Sequence, residues 1–184
     1  MSTIQSPAEA TQAARLADAV RERHQKRRLP NLPLLDQHGR TVYFYDDVMK
    51  GRQVLLGSMY TGCTNICTPA TQNLIAARKL LGAQAPQLQF VSMTLTPLND
   101  PPEALRGYIK QHGIATPWTF LTGKVTHVET IQRALGFLSA RDGDDLLSHS
   151  AAALYCDERN LRWSHVNTLL SPKAIARMIR FAMA

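Results

Sequence analysis

The order of apolar patterns in this sequence predicts an α/β domain, three layers built around a mixed sheet. Short strand-like runs alternate with stretches of helical spacing through the middle of the chain, the pattern of strand–helix–strand units. The last two strand-like runs are separated only by turn residues, so the sheet finishes on an antiparallel pair before a final helix. A chain of 184 residues fits one domain, and a domain of that length buries ~70% of its unfolded surface. There is no internal repeat and no sign of a second domain.

The elements follow in order. Residues 1–5 read as disordered, and Ser6-Pro7-Ala8-Glu9 is a capping box with proline at the first helical position. Ala10, Ala13, Leu16, Ala17 and Val20 give a weak stripe that fades into the basic run Arg21 to Arg28. That stretch reads as a solvated arm or tether rather than a membrane-surface patch, because its apolar face is mostly alanine. Pro30 and Pro33 end the arm, and Leu34 to Tyr45 reads as a hairpin around the turn Gln37-His38-Gly39, with His38 exposed. Asp46 to Gly51 is a turn leading into the buried strand Gln53 to Met59.

Ala70 to Leu81 then carries apolar residues at helical spacing, and Leu88 to Met93 is the next strand. Asp100-Pro101-Pro102-Glu103 opens a helix with Asp100 as its N-cap, a role preferred to metal binding, and Gly113 stops it after His112. Trp118 to Gly123 is a short strand and turn, and Val125 to Leu135 a helix with His127 on its surface. Arg141 to Ser148 is a polar, acidic loop. Ser150 to Cys156 and Asn160 to His165 are two strands joined by Asp157-Glu158-Arg159, and Ser171-Pro172 caps the last helix, Lys173 to Met183. Cys156, in mid-strand, reads as a buried small hydrophobe. His165 has no evident partner.

The chemistry concentrates in Tyr60-Thr61-Gly62-Cys63-Thr64-Asn65-Ile66-Cys67-Thr68-Pro69, between the first buried strand and the first long helix. A helix N-terminus offers unpaired N–H groups and a positive dipole end. Both favour thiolate over thiol, and thiolate is the form that attacks disulfides and binds soft metals. Residues four apart share one face of a helical turn, so the two sulfurs can converge on one metal ion or close a disulfide. Two inert buried cysteines are the plainer alternative, but chance seldom sets a pair at such a junction. A chain this long needs no disulfide for bulk stability, so the pair reads as functional.

Composition narrows the classes. Net charge is +7, which suits a solvated basic surface. No zinc finger, helix-turn-helix or aromatic-basic interleaving is present, so nucleic acid is not an expected partner. No apolar run approaches the length of a membrane helix, and the first residues lack the apolar core of a signal peptide. The protein is then either cytoplasmic or has a leader or anchor outside this sequence.

Cysteines at the first strand-to-helix turn of such a sheet point to a thioredoxin-like fold with an N-terminal hairpin and a C-terminal helix. Four stretches further resemble the Sco/SenC family. Thr61 to Cys67 is similar to its T-x-C-x-x-x-C-P signature. Phe90 to Pro97 with Asp100-Pro101-Pro102-Glu103 is similar to its strand and D-T-P-E helix start. Trp118-Thr119-Phe120-Leu121-Thr122-Gly123 resembles its W-x-F-L-T-G segment, and Leu147-Ser148-His149-Ser150 the segment holding its histidine. The resemblance covers about residues 30–183 and is specific as a set.

It implies a thioredoxin-fold, copper-binding assembly factor of respiratory copper enzymes such as cytochrome c oxidase. Cys63 and Cys67 match the copper-binding, redox-active cysteines, and His149 the third ligand. Two thiolates and an imidazole form a soft set suited to Cu(I), with Cu(II) a further state. The implied partners are a recipient copper-enzyme subunit and another copper chaperone or thioredoxin-like reductant. The implied location is the periplasm or the outer face of the cytoplasmic membrane, reached through an anchor or leader. Residues 1–29 are then a tether remnant and 30–184 the domain.

The chain departs from the family at Thr64-Asn65 in place of Pro-Asp, at Thr68 in place of Pro, and at Thr96 in place of an aspartate. These changes bear on redox tuning, partner recognition and Cu(II), and leave the three ligands intact. Two functions remain: copper delivery to, or preparation of, a copper site; and thiol–disulfide exchange by Cys63 and Cys67 that reduces a partner's cysteines. Peroxide reduction is a weaker third. Either cysteine can be the attacking one: Cys63 lies earlier in the loop and is expected to be the more exposed, Cys67 lies nearer the helix N–H groups.

Overall fold

The computed structural model describes residues 11–12, 15–20, 28–63, 65–115, 117–138 and 151–184. The expected disorder at 1–5, the capping box at 6–9, the basic run 21–27 and the loop 141–148 lie outside these. Residues 11–12 and 15–20 are helical and exposed. The remaining elements are β1 (Pro33–Asp36), β2 (Thr41–Tyr43), β3 (Gln53–Met59), α1 (Cys67–Leu81), β4 (Leu88–Thr94), α2 (Pro102–Gln111), β5 (Trp118–Thr122), α3 (Val125–Ala134), β6 (Ala152–Asp157), β7 (Arg162–Asn167) and α4 (Pro172–Met183). Their order is the one the sequence predicts. Among the described residues no helix is long and apolar enough to cross a membrane.

The strands form one sheet in the order β2-β1-β5-β4-β3-β6-β7. β3, β4 and β5 run parallel, and the outer neighbours pair antiparallel. The central strands are apolar on both faces, as a covered sheet requires. Leu55 and Met59 of β3, Phe90 of β4 and Tyr155 of β6 face one core with Leu74 and Ala77 of α1, Leu105 of α2 and Ile175 and Ile179 of α4. Val54 and Leu56, Val91 and Met93, and Leu154 and Cys156 face the opposite core with Val128 and Ile131 of α3. Those two cores, with helices on either side, make the three layers. Cys156 is fully buried in the second core, as a small hydrophobe.

Local structure departs from the sequence reading at four points. The hairpin is shorter: Phe44 and Tyr45 leave the strand and begin a π-helical turn, Phe44–Met49. Asn31 drives this, its side-chain oxygen accepting from the backbone N–H groups of Tyr45 and Asp46 at 3.0 and 3.1 Å. Both aromatic rings then sink into the second core. α1 begins at Cys67, before the apolar pattern starts. Asp100 is not an N-cap: Pro101 holds that position without a side-chain cap, and Asp100 is buried. His127 is half-buried rather than a surface residue, its Nδ1 lying 2.9 Å from the Pro33 carbonyl and joining α3 to β1. Ser171 caps α4 as expected, accepting from Ala174 N–H at 3.3 Å, and His38 is exposed at its turn.

Leu29 is buried in the second core, and the Arg28 guanidinium lies 5.1 Å from the centre of the Trp163 ring. Leu29→Ala should therefore destabilise the domain by roughly 2–5 kcal/mol, the usual range for a core leucine, read by urea titration. Deleting residues 1–25 should leave the melting temperature nearly unchanged. A shift of several degrees on that deletion would show that the N-terminal helix packs on the domain.

Candidate functional site

Parallel strands release their C-terminal ends at one edge of the sheet, where sites of open α/β folds gather. β3 ends at Met59, and the chain turns through Tyr60 to Gly62, with Cys63 N–H donating to the Tyr60 carbonyl at 3.2 Å. Cys67 is the first residue of α1, and Cys63 precedes the helix rather than sharing a helical face with Cys67. The loop itself brings the cysteines together. Cys67 N–H donates to Cys63 Sγ at 3.2 Å, and Thr68 Oγ1 donates to the Cys63 carbonyl at 3.2 Å. The N-cap residue, Ile66, has no side-chain acceptor. A sulfur thus takes one of the first-turn N–H groups that have no partner within the helix.

This arrangement makes the two thiols unequal. Burial pushes the Cys63 thiol up, but hydrogen bonds from the Cys67 thiol, from the Cys67 and Ile66 N–H groups and from Tyr60 outweigh it and hold Cys63 below its ordinary value. Burial first, then the bond to Cys63, push the Cys67 thiol up to about 12. The two thiols are thus shifted in opposite directions, Cys63 down and Cys67 up. Against the expectation that Cys63 is the more exposed, Cys63 is buried and Cys67 half-buried. Cys156 lies on β6 in the other core, and burial pushes its thiol up as well.

A cavity of about 360 Å³ runs beside the cysteines, lined by Met59, Tyr60, Ile66, Leu74, Leu95 and Ala151 among others. His149 lies outside the described residues. Ala151, two residues after it in sequence, stands in the cavity wall with Cys63 and Cys67. Among the described residues no group of three His, Cys, Asp or Glu side chains is placed to hold a metal. The histidines at 38, 112, 127 and 165 do not line this cavity.

One functional neighbour escaped the sequence reading. The Asp100 carboxylate, fully buried, accepts from Thr61 N–H at 3.3 Å and from the hydroxyls of Thr61, Thr94 and Thr96, the last at 2.9 Å. Two of the departures from the Sco/SenC pattern belong to this framework. Thr68 bonds the Cys63 carbonyl and Thr96 bonds Asp100. A proline at 68 would have no hydroxyl to offer, and an ionised aspartate at 96 could not donate to a carboxylate.

Comparison with known proteins decides the affiliation. The family model described as SCO1/SenC matches residues 20–184. The chain belongs to the SCO1/SenC family. A protein of Stutzerimonas stutzeri, provisionally named as copper-binding, is 32% identical over 164 residues, 84% of this chain and 76% of its own length. The SCO1/SenC family lipoprotein of Bacillus anthracis str. Ames matches with a TM-score of 0.69 and 21% identity, covering 85% of this chain and 95% of that chain. ScoI of Bradyrhizobium japonicum with copper bound matches with a TM-score of 0.64 and 22% identity, covering 82% of this chain and 96% of that chain. These structural likenesses carry the fold, which is the thioredoxin-like one expected.

The inequality of the thiols has a direct readout. Iodoacetamide should label Cys63 first near neutral pH, Cys67 much more slowly, and Cys156 only on unfolding. Because the Cys63 thiol is held below its ordinary value, its labelling rate should persist below pH ~8.5, where a free cysteine is mostly protonated, and fall only at lower pH. Mild oxidation should yield one disulfide, Cys63 to Cys67, with Cys156 left free by mass. A disulfide containing Cys156 in the folded protein, or faster labelling of Cys67, contradicts the assignment.

Proposed function

We propose that this SCO1/SenC chain binds copper through Cys63, Cys67 and His149, and delivers it to, or prepares the copper site of, a respiratory enzyme of the cytochrome c oxidase type. The observation that carries the reading is the approach of Cys67 N–H to Cys63 Sγ at 3.2 Å at the strand-to-helix junction. It presents two sulfurs together at the wall of an accessible cavity. The donors suit the metal: thiolates are soft ligands, and a third, imidazole, donor completes a set favoured by Cu(I). The copper-binding name of the Stutzerimonas stutzeri relative and the copper held by ScoI of Bradyrhizobium japonicum agree with it. When bound, copper is the cargo. The protein's own part is to hold the two sulfurs in one loop and to keep one thiol ready to ionise.

We place the working site outside the cytoplasmic membrane, as the lipoprotein relative suggests, with the chain ahead of Arg28 as a tether; the expected boundary after residue 29 moves back because Leu29 is buried in the domain core and Arg28 lies over Trp163. The partners in this reading are a copper-enzyme subunit as recipient, and a copper chaperone or thioredoxin-like reductant as donor.

A second reading rests on the unequal thiols. A lowered Cys63 beside a raised Cys67 is the attacking and resolving arrangement of a thiol–disulfide oxidoreductase. Such a protein would reduce a partner's cysteines without delivering copper. His149 separates the two readings, because disulfide exchange needs two sulfurs and no imidazole. His149→Ala should weaken Cu(I) binding by at least tenfold, or ~1.4 kcal/mol, in competition with a Cu(I) chelator, while the Cys63–Cys67 disulfide still forms. Unchanged affinity would leave the thiol-exchange reading as the better one.

A further inference from the structure

Among the described residues of the cysteine loop, Cys63 N–H donates to the Tyr60 carbonyl, and Cys63 meets Cys67 and Thr68. Thr61, two residues before Cys63, ties the loop to the neighbouring strand connection. Both Thr61 N–H and Thr61 Oγ1 donate to Asp100, and Asp100 belongs to the turn that follows β4. That turn is held by its own hydrogen bonds. Asn99 N–H and Asp100 N–H both donate to the Thr96 carbonyl, at 2.9 and 3.0 Å, and Thr96 N–H donates to Thr94 Oγ1 at 2.9 Å. Leu95 N–H donates to the Met59 carbonyl at 2.8 Å, extending the strand pairing to the base of the loop. The carboxylate is buried, so each donor it loses would leave acceptor capacity unsatisfied away from water.

We propose that Asp100 is a positioning residue for the thiol pair: through Thr61 it fixes the Tyr60–Cys63 segment so that Cys63 Sγ stays against the start of α1. The inference rests on the reading of Cys63 and Cys67 as a redox pair and specifies what preorganises it. Neither residue touches the sulfurs by the bonds described. Asp100 acts through the loop, two residues from Cys63. A disulfide forms more readily when its sulfurs are held together beforehand, since less chain freedom is lost on closure. Loosening the loop therefore favours the dithiol.

The test is the midpoint of the Cys63–Cys67 couple in the full chain, titrated in glutathione buffers. In that exchange the two thiols give up two electrons and two protons to glutathione disulfide, which becomes two molecules of glutathione. Thr61→Val removes the loop's hydroxyl at nearly constant shape. It should shift the equilibrium about tenfold toward the dithiol, which is a midpoint about 30 mV more positive. Asp100→Asn should shift it in the same direction, and the double variant should add little to either single one. Thr61→Ser keeps the hydroxyl and should return the wild-type midpoint. Leu29→Ala, in the opposite core, should lower the melting temperature while moving the midpoint by less than about threefold, so that general loss of stability and loss of loop position are told apart. A midpoint indifferent to Thr61→Val and Asp100→Asn, or one moved as far by Leu29→Ala, overturns the inference. If the wild-type pair forms no disulfide at all, the redox reading fails and takes this one with it. A normal disulfide that ignores Thr61 sinks this inference alone.

Discussion

Everything at the functional edge depends on the parallel pairing of β3 with β4. Met59 stands opposite Thr94 at the last step of the ladder, so both strands stop at the same height. The cysteine loop leaves one and the Thr96–Asp100 turn leaves the other, side by side. A slip of one residue would turn Leu55 and Met59 away from the core they share with Leu74 and send Val54 and Leu56 in their place. The register is thus held by burial on both faces of the sheet, and the position of Cys63 follows from it.

Upon that frame the loop solves two problems with one contact. The first helical N–H groups of α1 need acceptors, and Ile66 supplies none from its side chain. Cys63 needs donors if its charge is to survive partial burial. The bond from Cys67 N–H to Cys63 Sγ serves both. It also helps to make the two cysteines different: its donors lower Cys63 against burial, while burial first and then the bond to Cys63 raise Cys67. A copper carrier and a thiol exchanger would both use such a pair, which is why this geometry favours each of them and a third donor has to separate them.

Thr96 stands where the family resemblance leads one to expect an aspartate, and its hydroxyl donates to Asp100 at 2.9 Å. Two carboxylates there would repel, and one would tend to hold a proton. A hydroxyl instead donates to a single buried carboxyl group. Thr68, in place of a proline, likewise adds a bond to the Cys63 carbonyl. Polar donors replace charge and ring stiffness around the thiol loop.

The sequence by itself determined the order of elements, the two-faced central strands and the junction carrying the cysteines, because those depend on local periodicity and on the few residues that start and stop helices. β3 is placed at Gln53–Met59 by its apolar run alone, and Cys156 by its mid-strand apolar setting. The tertiary structure decided what local pattern cannot encode. Asp100 looks like an N-cap to a reader of spacing, since aspartate ahead of a helix usually is one. It becomes a loop anchor because β3 and β4 bring Thr61, 39 residues away in sequence, within reach of it. Phe44 and Tyr45 look like strand residues until Asn31 turns the chain inward. The opposite shifts of the Cys63 and Cys67 thiols depend on how deeply each is buried and on which groups meet each sulfur, and both follow from the path of the loop in space.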